Sequence, residues 1–86
     1  MNELERNLKA LANKRRLAIL KYLKRTGKSS VGDIASEIGL SFKATSRHLG
    51  VLTNAGILEK AQEGLTMWHS ISPRKHSIVT NVTKLL

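Results

Sequence analysis

Leu4, Leu8 and Leu11 recur at three- and four-residue intervals with charged residues between them. This spacing predicts a first helix over residues 2–12. Asn13 can cap a second helix over 14–26, in which Leu17, Ile19, Leu20 and Leu23 make a broad apolar face and Gly27 supplies the stop. Ser30 opens "SVGD", a Ser-x-x-Asp capping pattern, and Val31, Ile34, Ala35 and Ile38 stripe a third helix over 30–39. Ser41 caps a fourth helix over 41–55 with Thr45, Leu49 and Leu52 inward. The link between the third and fourth is so short that the pair reads as a helix-turn-helix.

The period then changes from helical to alternating. "ILEKAQ" and "LTMWHSI" flank Glu63-Gly64, which predicts a β-hairpin over 57–71 turning at that dipeptide. Ser72 and Pro73 look like an N-cap and a first-turn proline for a last helix over 73–86, carried by Ile78, Val79, Val82, Leu85 and Leu86. The expected architecture is mainly α with a small β-hairpin, a winged helix-turn-helix forming one domain over 1–86.

Composition narrows the function. Fifteen Lys and Arg against six Asp and Glu give a net charge of +9, and Lys14 to Lys28 holds seven cations and no acid. Such an excess on a small domain points to a polyanion, most simply nucleic acid, against the alternative of a generally basic surface. There is no cysteine, which excludes disulfides, thiolate metal sites and cysteine nucleophiles. No apolar run approaches the roughly 18 residues of a membrane span, and the charged N-terminus is unlike a secretory signal. A cytoplasmic protein with no membrane partner is expected. The carboxylates are dispersed, and neither a nucleophile turn nor a glycine-rich phosphate loop accompanies them, so an enzyme is not expected.

On the fourth helix, turning Leu49 and Leu52 inward turns Lys43, Arg47, Gly50 and Asn54 outward, with Ser46 on the flank and Ala44 in the first turn between them. Lys43 and Arg47 stand one turn apart near the helix start, where a recognition helix meets base edges. Arg47 suits a bidentate contact to guanine; Lys43 suits guanine or a phosphate. Ser41 and Ser46 suit phosphate oxygens. Lys60 and Gln62 on the wing are expected to hold backbone, and Lys14, Arg15 and Arg16 either reach flanking phosphates or form a solvated helix end. Leu4, Leu8, Leu11, Val79, Val82 and Leu86 are the candidates for a dimer seam, with the intramolecular core as their alternative.

"LKALANKRRLAILKYLKRTG" and "VGDIASEIGLSFKATSRHLGVLTNAGILEK" resemble the opening helices and the helix-turn-helix of the ArsR/SmtB family of repressors, over roughly residues 7 to 71. The resemblance implies a homodimeric repressor that binds an imperfectly palindromic double-stranded operator and releases it on a small-molecule or protein signal. It also implies a dimer built from the first and last helices. Phe42 stands where many relatives carry a polar residue, and its wheel position beside Leu49 makes it a lid on the core. Gly50 replaces a common basic residue and either allows close approach to DNA or is neutral. Ser30 and Gly32 occupy the positions of a metal-binding Cys-x-Cys pattern, and the last helix offers His76 alone. No metal site or cofactor is therefore expected. His48 is expected beside the core, His69 on the second wing strand with Met67 and Ile71, and His76 exposed. Two other readings compete: a winged-helix module that binds protein, and a nonspecific architectural DNA binder.

Overall fold

A computed structural model describes residues 2–86. In chain order the elements are α1 (Glu3–Leu11), α2 (Lys14–Thr26), β1 (Lys28–Ser29), α3 (Val31–Ile38), α4 (Phe42–Asn54), β2 (Leu58–Glu63), β3 (Thr66–Ile71) and α5 (Ser77–Thr83). This is the expected winged helix-turn-helix. Each of the first four helices starts at the cap its sequence supplies. Asn2 Oδ1 accepts from Glu5 N–H, Asn13 Oδ1 from Arg15 and Arg16 N–H, Ser30 Oγ from Asp33 N–H, and Ser41 Oγ from Ala44 N–H. Such a side-chain acceptor satisfies donors that have no partner inside the helix, and each is worth about 1 kcal/mol.

The turn of the helix-turn-helix depends on Gly39, whose φ of 68° lies in the left-handed region. That conformation lets Gly39 N–H and Leu40 N–H both return to the Ala35 carbonyl, so α3 stops and the chain reverses within three residues. α4 can then begin at Ser41.

Where the four main helices meet, the core is aliphatic. Ile19, Leu20 and Leu23 of α2, Ile34 of α3, Leu49 and Leu52 of α4, Ile57 before the wing, and Val79 of α5 are fully enclosed. Each contributes roughly 1.5–3 kcal/mol on burial. Because Leu49 and Leu52 belong to this cluster, the orientation of α4 is set by packing and its opposite face is free.

Four expectations need correction. A third strand, β1, is absent from the sequence reading; it pairs antiparallel with β3 (Lys28 with Ser70, Ser29 with His69), giving sheet order β1-β3-β2. Two residues carry no periodicity that could announce it. The hairpin turns at Gly64-Leu65, one residue later than expected, because Glu63 pairs with Thr66 and Gly64 takes a φ of 62° at the first loop position. The last helix does not start at Pro73. Ser72 N–H instead extends the sheet side by bonding the Ile57 carbonyl, its hydroxyl accepts from Arg74 N–H in a turn, and His76 Nδ1 caps α5 by accepting from Ile78 N–H. His76 is accordingly half-buried rather than exposed.

The candidates for the dimer seam divide between the two alternatives that the sequence leaves open. Leu11 and Val79 are buried in the protomer's own core, and Val82 and Leu86 pack against it. Leu4 and Leu8 are 44% and 46% exposed and stay available. Fourth, Phe42 is no lid: 63% of its surface is open. As the first residue of α4 it stands one turn before the enclosed Thr45 and two before Leu49, beyond the rim of the core.

Candidate nucleic-acid interface

The outward face of α4 is as the helical wheel places it. Lys43, Ser46, Arg47, Gly50 and Asn54 are exposed and Ala44 is half-buried. Among the described residues neither Lys43 nor Arg47 has an ion-pair or hydrogen-bond partner. Ser41 carries its cap through its oxygen, at 3.1 Å from Ala44 N, which leaves the hydroxyl proton to donate.

Beside this face runs the wing. Ser46, Gly50 and Asn54 on one side and Lys60, Met67 and His69 on the other line a groove of about 260 Å³. Lys60 is exposed and lies across the sheet from His69. Gln62 is occupied differently from its expected contact with backbone: its amide donates to the Gly64 carbonyl at 3.0 Å and braces the wing tip. Lys28 also ties the tip down, through Glu63 at 3.0 Å and above the Trp68 ring at 5.0 Å. Both partners are half-exposed, so these ties are weak, of the order of 0.2–1 kcal/mol.

The three cations at the start of α2 divide. Lys14 is exposed and without a partner among the described residues. Arg15 Nη1 donates to the carbonyl of Ile38, the last residue of α3, at 3.0 Å. Arg16 donates through Nε to Ala10 O at 2.6 Å and, more loosely, through Nη2 to Lys9 O at 3.4 Å, near the end of α1. Cations at a helix N-terminus oppose the helix dipole. Here the two guanidiniums extend to the carbonyl ends of two other helices, where positive charge is favoured.

Arg16 has one more partner, His48 Nδ1 at 3.2 Å. A guanidinium can only donate, so Nδ1 accepts and the His48 proton resides on Nε2. Burial first, and then Arg16, Arg47 and Arg15, hold the His48 pKa below its ordinary value. His48 thus stays neutral and ties α4 to the start of α2 and the end of α1. Sequence reading expected packing or a helix-side bond there; the Arg16 link crosses 32 positions and leaves no local trace. His69 is buried on the second wing strand, its Nδ1 without a partner. Its pKa is lowered by burial and then by Lys60.

Phe42 and Leu65, the latter fully exposed at the wing tip, were not foreseen as surface features. Among the described residues no three His, Cys, Asp or Glu side chains gather as a metal site, and no helix is long and apolar enough to cross a membrane.

Comparison with known proteins agrees with this geometry. Residues 13–60, which run from the cap of α2 into the wing, match the family described as bacterial regulatory protein, arsR family. The transcriptional activator HlyU of Vibrio cholerae is 37% identical over 79 residues, covering 84% of this chain and 72% of that protein. The structure of its reduced form superposes with a TM-score of 0.83 at 34% identity, covering 98% of this chain and 84% of the other. A homodimeric winged helix-turn-helix DNA-binding domain from Mycobacterium bovis gives 0.82 at 32% identity, covering 96% of this chain and 73% of that one. The transcriptional repressor BigR of Xylella fastidiosa gives 0.81 at 27% identity, covering 99% and 83%. With its helix-turn-helix matched and its basic α4 face free, the chain belongs to the arsR family of bacterial regulatory proteins: a transcriptional regulator with a winged-helix DNA-binding domain, and not an enzyme.

Proposed function

We propose that the chain acts as a homodimeric, sequence-specific repressor that binds an imperfectly palindromic double-stranded operator inside the cell. The observation that carries this reading is the face of α4, where Lys43 and Arg47 stand exposed and unpaired among the described residues beside Ser46 and Asn54. Arg47 is assigned to a guanine, Lys43 to a base edge or phosphate, and Ser41, Ser46, Lys60 and Lys14 to backbone. Ala44, half-buried, contributes only close approach.

Leu4 and Leu8 support pairing through α1, since both are exposed on one stripe and α1 lies against α5. The homodimeric Mycobacterium bovis domain supports pairing as such. Such a dimer sets its two α4 helices about one turn of DNA apart, roughly 34–36 Å. A basic protein spanning that length acts by occlusion when its site overlaps a promoter. Relatives include both an activator and a repressor, so the sign of regulation is a property to measure. The HlyU structure is of a reduced form; these 86 residues hold no cysteine, so a small-molecule or protein signal that reaches them does so without thiol chemistry of their own.

The test is a fluorescence-anisotropy titration at about 0.15 M salt, with a duplex obtained by selection and a shuffled control. A preference of ~10³-fold or more supports specific recognition; equal, salt-sensitive binding leaves an architectural role. Run-off transcription from a promoter carrying the site then separates repression from activation. The protein-binding alternative is favoured by one observation, the exposed Phe42 and Leu65, and absence of DNA binding would put it first.

A further inference from the structure

We propose that Phe42 reads a base: its ring packs on the C5 methyl of a thymine at the wing-side edge of each half-site. This rests on the proposed recognition of DNA by α4. Phe42, the chain's only phenylalanine, is 63% exposed in a molecule whose large aliphatic side chains largely find the core. It lines a groove of about 310 Å³ with Val31, Leu65 and Met67. Val31 and Met67 also line the groove between α4 and the wing, so the two form one furrow running from Asn54 to the wing tip.

Placement on the helix argues for DNA as the occupant. At about 100° per residue, Phe42 lies about 40° from Ser46 and about 100° from Lys43, on the wing-side margin of the exposed face. It is the first residue of α4, and the start of a recognition helix comes closest to base edges. A phenyl ring offers neither donor nor acceptor, so hydrogen-bonded readout is closed to it. In the major groove the thymine methyl is the apolar group a base edge presents. The patch also adjoins Lys43 and Arg47, whose free charge suits a polyanion better than an apolar protein surface. Leu65 stands across the furrow, where it flanks the same strand.

The closing experiment replaces thymines of the selected operator, one at a time, by deoxyuridine, which removes the methyl and keeps every hydrogen bond. Wild-type protein is expected to lose about fourfold in affinity per half-site at one position, the value of one methyl-sized group. Phe42→Ala should bind thymine and uracil versions alike, and Phe42→Leu should keep part of the preference; thermal unfolding of both variants checks that they fold. Wild-type indifference at every thymine, with specificity for the operator intact, overturns the inference and leaves the proposed function standing. A Phe42→Ala protein that still prefers thymine assigns the methyl to another residue and overturns it too. Loss of all sequence preference in the wild type removes the proposed function itself, and the inference with it.

Discussion

Two pairs of cations, Arg15 and Arg16 at the start of α2 and Lys43 and Arg47 on α4, look alike in the sequence and differ in the fold. All four lie in the first halves of their helices, three of them in the first turn, where the dipole disfavours a cation, and all four are candidates for DNA. The α2 pair is engaged: Arg15 with the end of α3, Arg16 with the end of α1 and with His48. The α4 pair has no such partner among the described residues and stands in solvent. Those contacts hold the α2 guanidiniums against the fold and leave only their remaining N–H groups for a phosphate, whereas the α4 pair keeps every donor free among the described residues. Commitment of donors, more than charge, separates the two pairs.

The strongest way to break this comparison is Arg16→Ala. It removes donors from two carbonyls and from His48 at once, and should cost about 3 kcal/mol of stability, read as a lower urea midpoint. Lysine is not expected to rescue it, because one ammonium cannot span acceptors on α1 and α4. An unchanged midpoint would place Arg16 with the free cations. Arg47→Ala should do the opposite. It is expected to leave the urea midpoint where it is and to cost about 2 kcal/mol in affinity for the selected operator. A variant that binds as well as wild type removes Arg47 from base reading.

The sequence was a better guide to α4 than to the ends of the chain, for physical reasons. Its wheel resolved because three of its positions, Thr45, Leu49 and Leu52, are all enclosed by one core. Caps were legible because a serine or asparagine bonds two or three residues away. Contacts over long separations were not. β1 exists because Lys28 and Ser29 meet β3 some forty residues later. Arg16 meets His48, and Lys24 Nζ meets the Thr83 carbonyl at 2.9 Å, with nothing local to announce either. Pro73 misled for a related reason: Ser72 is held by Ile57 across the wing, so the helix has to wait for His76. Phe42 misled because a wheel gives a direction but not whether the core extends that far along the axis.

Lys60 sharpens the comparison on the wing. It is exposed and unpaired among the described residues like Lys43, but it lies on a strand flanking the groove and not on the base-reading helix. Lys60→Ala should therefore weaken all duplexes alike and lower the salt slope of binding by about 1. Loss confined to the selected operator would make Lys60 a base reader.

The smallest expected effect is a pH dependence, and it reports on Arg16 from the other side. In the folded chain His48 and His69 both have pKa values below the ordinary one, through burial first and nearby cations second. In the unfolded chain they return to about 6.5. Between the two, the unfolded state binds more protons, so stability is full above about pH 7, falls as pH drops through 6.5, and levels off below the folded values. His48→Gln should flatten part of that slope in urea midpoints measured from pH 5 to 8. Arg16→Ala should raise the His48 pKa, followed by the imidazole NMR shifts, because a charge that opposes protonation is gone. It should not restore the ordinary value, since burial is the larger cause. A His48 titration unmoved by the loss of Arg16 would mean that the bridge between α1 and α4 is not made in solution, and the distinction between engaged and free cations would then rest on Arg15 alone.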